Sequence, residues 1–133
     1  LKLSPHFTLT ELCVSAAASR ANISNIPTGA NTLAKLKDLA WQMEIVRVLL
    51  GGKPIIITSG YRTPQVNALV GGSSTSDHMQ AVACDFNRPG LTVKDCANIL
   101  EESALKYDQL ILYKTHLHIG FGPRMRRDRF NAK

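Results

Sequence analysis

A change of hydrophobic period partway along the chain most constrains what it can fold into. From residue 31 to residue 50, apolar side chains recur at Leu33, Leu36, Leu39, Ala40, Met43, Val46 and Leu50. That is the spacing of a helix, and Gly51-Gly52 ends it. The helix reads as core scaffold, with Trp41 as core filler. Beyond it the period shortens. Residues 54–59 are a β-branched run expected as a buried strand, and residues 81–86, 109–113 and 116–121 read as further strands. Thr8 with Glu11 and Thr92 with Asp95 form capping-box patterns, which open helices over 8–20 and 92–106. Thr63-Pro64 starts a short helix to residue 70, closed by Gly71-Gly72, and residues 22–29 and 73–77 read as loops. Only Lys114-Thr115 separates the last two strands, so they form an antiparallel hairpin. The expected fold is α+β, a small central antiparallel sheet with helices packed mainly on one face. Residues 1–133 form one domain, with 123–133 as a basic tail.

Composition narrows the function classes. Hydrophobic residues make up 44% of the 133 and charged residues 20%, which excludes whole-chain disorder. No apolar run approaches the ~18 residues of a membrane span. The opening residues carry no signal-peptide apolar segment, so synthesis in the cytoplasm is expected. Cys13, Cys84 and Cys96 form neither a disulfide framework nor a thiolate zinc motif. Sixteen Lys and Arg against ten Asp and Glu give a net charge of +6. Arg124, Arg126, Arg127 and Arg129 concentrate that excess in the tail. Such a cluster suits a polyanion or, equally, a solvated tail. The nearby Phe121 and Phe130 do not make a stacking platform, so nucleic acid is not the expected partner.

The chemistry-bearing residues gather late in the chain. There are four histidines: His6, His78, His116 and His118. Strand alternation places His116 and His118 on one face, with Leu117, Ile119 and Phe121 on the other. Asp85 sits in an apolar strand with Val82, Cys84 and Phe86 on the opposite face, and a carboxylate there needs a partner or a cation. Two imidazoles and a carboxylate are the ligand set of a catalytic zinc. Equally, His116 and His118 read as ordinary strand histidines, with Asp85 bridging to Arg62 or Arg88. His6 reads as a surface residue.

Three stretches carry a resemblance. They are Ser59-Gly60-Tyr61-Arg62-Thr63-Pro64, Ser76-Asp77-His78 running on to Ala83-Cys84-Asp85-Phe86, and His116-Leu117-His118. In order and spacing they resemble the zinc D-alanyl-D-alanine peptidases, relatives of lysostaphin-type and hedgehog-type domains. Ser4-Pro5-His6-Phe7-Thr8-Leu9 and Glu11-Leu12 resemble the short phage-encoded branch of that family. The resemblance implies a hedgehog-like peptidase fold and Zn2+ held by His78, Asp85 and His118. It implies that Arg62 faces the substrate, gripping a carboxylate or steadying the developing oxyanion, and that the Ser76 hydroxyl, beside the site, binds substrate or orients a ligand. It further implies hydrolysis of peptidoglycan stem peptides, of carboxypeptidase or endopeptidase type. The setting it implies is a monomer acting on the cell wall after release with a holin, or as part of a virion.

Three positions depart from the family pattern. Ala81 stands where the family has Gly, and a positive φ there would be strained. Tyr113 occupies a position where phage-type relatives carry Glu, and Thr115 one where the dipeptidase branch does. The four glutamates, Glu11, Glu44, Glu101 and Glu102, are all distant in sequence. His116 is the natural replacement base, because imidazole exchanges protons near neutral pH. Asp108 is a candidate to orient it. An inactive zinc-binding wall or virion protein on the same fold is the alternative function.

Overall fold

Local capping signals open most of the helices where the sequence places them, but not every helix runs as far as expected. The computed structural model describes residues 1–133. Strands β1 (Lys2–Ser4) and β2 (Phe7–Thr8) form a small hairpin that the sequence pattern does not announce. Thr8 then caps α1 (Leu9–Leu12) through a complete capping box with Glu11. The segment expected as one helix over 8–20 is broken, because Ser15 caps a second short helix, α2 (Ala16–Arg20). Helix α3 (Ala30–Leu49) follows, then strand β3 (Ile56–Ser59) and α4 (Pro64–Leu69), which Thr63 caps with Pro64 in its first turn. A 3₁₀ turn (Asp77–Gln80) leads into β4 (Ala83–Asn87). Helix α5 (Val93–Glu102) opens on the expected Thr92–Asp95 box and stops short of residue 106. Strands β5 (Gln109–Leu112), β6 (Leu117–Gly120) and β7 (Asp128–Asn131) complete the chain.

The main sheet runs β3-β4-β6-β5-β7. The expected antiparallel pairing holds from β3 to β5, but β7 lies parallel to β5, so the sheet is mixed. Its last strand is drawn from residues 123–133, expected only as a basic tail. β3 is an edge strand and alternates Ile56 out, Ile57 in, rather than being buried on both faces. One face of the sheet, bearing Cys84, Phe86, Leu110, Leu117 and Ile119, joins α3 and α5 in a single apolar cluster. No helix is long and apolar enough to cross a membrane.

Helix α3 carries two apolar stripes, and only one faces the core. Leu36, Leu39, Ala40, Met43 and Val46 are buried, whereas Trp41 is 55% exposed beside Ile45 and Val48. At roughly 100° per residue, Trp41, Ile45 and Val48 project from the side opposite Leu36 and Met43. The expectation that Trp41 fills the core is therefore corrected. Glu44, on the flank between the stripes, anchors the β1–β2 hairpin. Ser4 Oγ, His6 N–H and His6 Nδ1 all meet its carboxylate at 2.7 Å. Burial pushes the Glu44 carboxyl up, but the bonds from Ser4 and His6 outweigh it and hold the group low. His6 is a surface residue, as expected, and its exposed ring is tethered to Glu44.

The 3₁₀ turn closes on Ala81, whose φ of 58° and ψ of 34° lie in the left-handed region. Ala81 is buried, at 1% exposure, so the methyl is held against both its own backbone preference and the core. Replacing Ala81 with Gly should raise stability by about 0.5–1 kcal/mol, after part of the relieved strain is offset by the lost methyl contact. Ala81→Val should instead destabilise the fold. Thermal and urea unfolding of both variants check the two signs.

Candidate metal centre and cleft

Sheet register brings the first two site residues together. Asp85 on β4 lies directly opposite His118 on β6, and side chains so placed stand on the same face about 5 Å apart at Cβ. His118 Nδ1 is 2.9 Å from Asp85 Oδ1. His78 arrives from the 3₁₀ turn, with its Nε2 3.4 Å from the same oxygen. One ligand atom from each of His78, Asp85 and His118 lies within 4.8 Å of the others. His78 and His118 are buried, at 3% and 8% exposure.

The turn that delivers His78 is held on three sides. Ser76 Oγ accepts the His78 backbone N–H at 3.2 Å, and Arg62 N–H donates to the His78 carbonyl at 3.1 Å. His78 Nδ1 meets the Gly60 carbonyl at 2.7 Å, which leaves Nε2 to face Asp85. Gly60 has to be glycine, because any Cβ would collide with the Leu12 carbonyl, whose oxygen accepts the neighbouring Tyr61 N–H at 2.7 Å. Asn25, a loop residue that sequence reasoning passed over, ties this turn down further. Its amide donates to the carbonyls of Cys13 and Tyr61, and its oxygen accepts Thr63 N–H. A buried asparagine satisfied at both ends leaves no sequence pattern beyond its Asn-, Ser- and Pro-containing loop.

Asp85 draws its partners from histidines, not from the arginines that were the sequence alternative. His116 Nε2 lies 3.7 Å from Asp85 Oδ2, so three imidazoles surround one carboxylate. Burial pushes the Asp85 carboxyl up; its hydrogen bonds to His118 and His78 and their charges outweigh that and hold it well below the usual carboxylate range. Arg88 is occupied elsewhere, on the carbonyls of Leu50 and Pro89. Ligands about 2.0–2.2 Å from a tetrahedral zinc ion stand roughly 3.3–3.6 Å apart; His78 Nε2, 3.4 Å from the carboxylate oxygen, has that spacing, and His118 Nδ1, at 2.9 Å, is within about half an ångström of it. Borderline nitrogen and oxygen donors match its preferences as well.

Beside these groups opens a cleft of about 450 Å³. Arg62, Ser76, Tyr113, Arg124 and Arg126 line it together with His78, Asp85 and His118. Arg62 is positioned by Asn67, whose side-chain oxygen accepts from Nη1 at 3.0 Å, while its buried Nε has no partner. Burial lowers the Arg62 pKa against the opposing influence of Asp85 and Tyr113. Arg62 makes no ion pair with Asp85 or Asp77. His116 does not line this cleft. It borders the adjoining groove, stacked 4.5 Å from the Tyr113 ring with Nδ1 3.1 Å from Thr115 Oγ1. No glutamate lines the cleft.

Asp108 does not orient His116, as the sequence had suggested. It is 2% exposed and grips Arg126 through the Arg126 backbone N–H, Nε and Nη2, at 2.8–3.0 Å. A buried carboxylate next to the tail claims the nearest guanidinium in a two-pronged bond, which an imidazole cannot match. Arg126 and Arg124 thereby enter the cleft wall, and sequence reasoning had left both in the tail.

Residues 5–120 match the family model described as Peptidase M15. Over 68 residues, 51% of this chain, the sequence is 34% identical to the zinc D-Ala-D-Ala carboxypeptidase of Streptomyces albus G. That stretch is 25% of the relative's length.

The Asp108–Arg126 pair gives this wall a defined acid sensitivity. Hydrogen bonds from Arg126 hold the Asp108 pKa below its ordinary value. A lowered folded-state pKa contributes stability that is complete above the unfolded value of about 3.9 and lost as the pH falls below it. Asp108→Asn should therefore lower stability at pH 7 and flatten the decline between about pH 5 and pH 2. Urea unfolding across that range reads both effects.

Proposed function

The chain belongs to the peptidase M15 family, and we propose that it is a zinc-dependent hydrolase of peptide bonds in peptidoglycan stem peptides. The observation that carries this is the convergence of His78, Asp85 and His118 beside an open cleft. In this reading those three side chains hold the zinc. When bound, the ion supplies Lewis acidity, polarising a carbonyl and making water a nucleophile near neutral pH.

The remaining groups divide the work. His116 Nε2 takes a proton from the attacking water and later returns it to the leaving amine. Its position 3.7 Å from Asp85 Oδ2 keeps it within reach of the site, and the stacked Tyr113 ring and Thr115 hold its plane. Arg62, with its buried and unpartnered Nε, binds negative charge on the substrate or on the developing oxyanion. Ser76 acts as a positioning residue by capping the turn that carries His78. Carboxypeptidase and endopeptidase cleavage fall equally within this proposal. The surplus positive charge favours adsorption to an anionic wall, and action there after release or from a virion belongs to the same reading.

A second reading follows from the missing glutamate. A cleft without that base suits a zinc-holding, wall-binding protein with little or no turnover. Metal analysis and peptide cleavage together separate the two. Zinc-loaded protein should hold one equivalent of metal and release amine from stem peptides, and chelation should abolish that release. His78→Ala, Asp85→Asn and His118→Ala should lose both metal and activity. His116→Ala should keep its metal and lose roughly 10²–10⁴-fold in kcat. Full activity in the zinc-ligand variants refutes the peptidase; full activity in His116→Ala removes only the base.

A further inference from the structure

Tyr113 borders both the cleft and a larger groove of about 980 Å³. The first turn of α5, the connection between β5 and β6, and strand β7 form the walls of that groove. Val93 and Leu112 line it while packing on the apolar cluster, which makes the walls rigid. Two rings are left half open along it, Tyr113 at 41% and Phe130 at 44% exposure.

The side-chain charges along this groove do not cancel. Lys94, Lys114, Arg129 and Lys133 line it against Glu101 alone. Arg129 pairs with Glu101 at 3.4 Å and donates to Asn98 Oδ1 at 2.8 Å, so both of those charges are satisfied within the protein. Asp95, beside Lys94 in sequence, accepts Thr92 N–H, and Asp128, beside Arg129, pairs with Arg126. Lys94, Lys114 and Lys133 are exposed and make no hydrogen bond or ion pair. Three unpaired ammonium groups around one concave surface raise its potential and draw in anions.

We propose that this groove binds a phosphodiester polymer of the cell wall, a chain of polyols joined through phosphates. An ammonium group is a compact point charge suited to phosphate oxygens. A carboxylate is gripped best by the planar fork of a free guanidinium, and the one guanidinium in the groove is occupied. The open faces of Tyr113 and Phe130 suit the carbon segments between phosphates. Successive nucleic-acid bases need a row of free rings, but Tyr113 is already stacked on His116, which leaves Phe130. A flat bilayer does not enter a concave groove. The choice of a wall polymer rests on the peptidase reading of the neighbouring cleft, whereas the binding itself does not. A bound chain holds that cleft against the wall while peptides turn over.

Synthetic poly(glycerol phosphate), with polyglutamate of matched length and charge as its rival, tests this on the full chain by calorimetry and NMR titration. The phosphate polymer should bind about tenfold more tightly than polyglutamate, and its affinity should fall steeply as salt is raised. Chemical-shift changes should centre on Lys94, Lys114 and Phe130, not on Arg62 and Ser76. Lys94→Gln combined with Lys114→Gln should weaken binding about tenfold, and Lys94→Arg combined with Lys114→Arg should preserve it. Lys35→Gln combined with Lys37→Gln, an equal loss of charge on the exposed surface of α3, should leave it nearly unchanged. All four lysines are exposed, so these variants should unfold at the wild-type temperature. An equal loss in the α3 control, equal affinity for polyglutamate, or tighter binding to single-stranded DNA or to phosphatidylglycerol vesicles overturns the proposal. Polymer binding by zinc-loaded protein that cleaves no stem peptide refutes the peptidase reading and leaves the groove standing. Cleavage by a protein that ignores the polymer does the reverse.

Discussion

The opposed pair of Asp85 and His118 is the contact on which the site depends. Antiparallel register between β4 and β6 puts a carboxylate and an imidazole face to face, and the pleat sends both away from the apolar core. The alternate residues Cys84, Phe86, Leu117 and Ile119 are buried on the other face. A slip of one residue would therefore invert the core and the site together. The same burial that secures the sheet thus secures the spacing of the charged groups. Asp85 is tolerable in that setting because imidazoles surround it.

The third member of the cluster is supplied by irregular chain, and irregular chain needs explicit support. His78 rides on a single 3₁₀ turn, too short to hold a ring in place alone. Backbone contacts from Gly60 and Arg62 and a cap from Ser76 make up the difference. Asn25 and Asn67 extend that support to the turn around Tyr61 and to the Arg62 guanidinium. Rigid strands thus carry two site residues, and a cross-braced turn carries the third. That division suits a site whose neighbouring loops form a binding cleft.

The C-terminal segment changes the character of the molecule most. As free chain it would be a solvated cationic tail. Paired in parallel with β5, it extends the sheet and lays Arg124 and Arg126 along the cleft. Buried Asp108 organises this segment through Arg126, and its backbone carbonyl receives Asp128 N–H at the start of the strand. Net positive charge is in this way partly converted into local structure, and only a remainder is left for ligands.

Much of the molecule was legible in the sequence because it depends on local chemistry. Helical period located α3, threonine capping boxes opened α1 and α5, and alternation sorted His116 and His118 from Leu117 and Ile119. The left-handed conformation of Ala81 could be anticipated from its departure from glycine. Contacts between distant segments were not legible. Whether Trp41 faced core or solvent depended on which stripe of α3 met the sheet. The partner of Asp108 depended on the path of a tail whose own residues show only charge. The parallel course of β7 arises because residues 123–127 cross to the free edge of β5 before pairing. Sequence determines what each segment can form, since dihedral preference and side-chain period act over a few residues. Only the assembled chain decides which face is covered and which charges meet, since burial and ion pairing act between parts that the sequence keeps far apart.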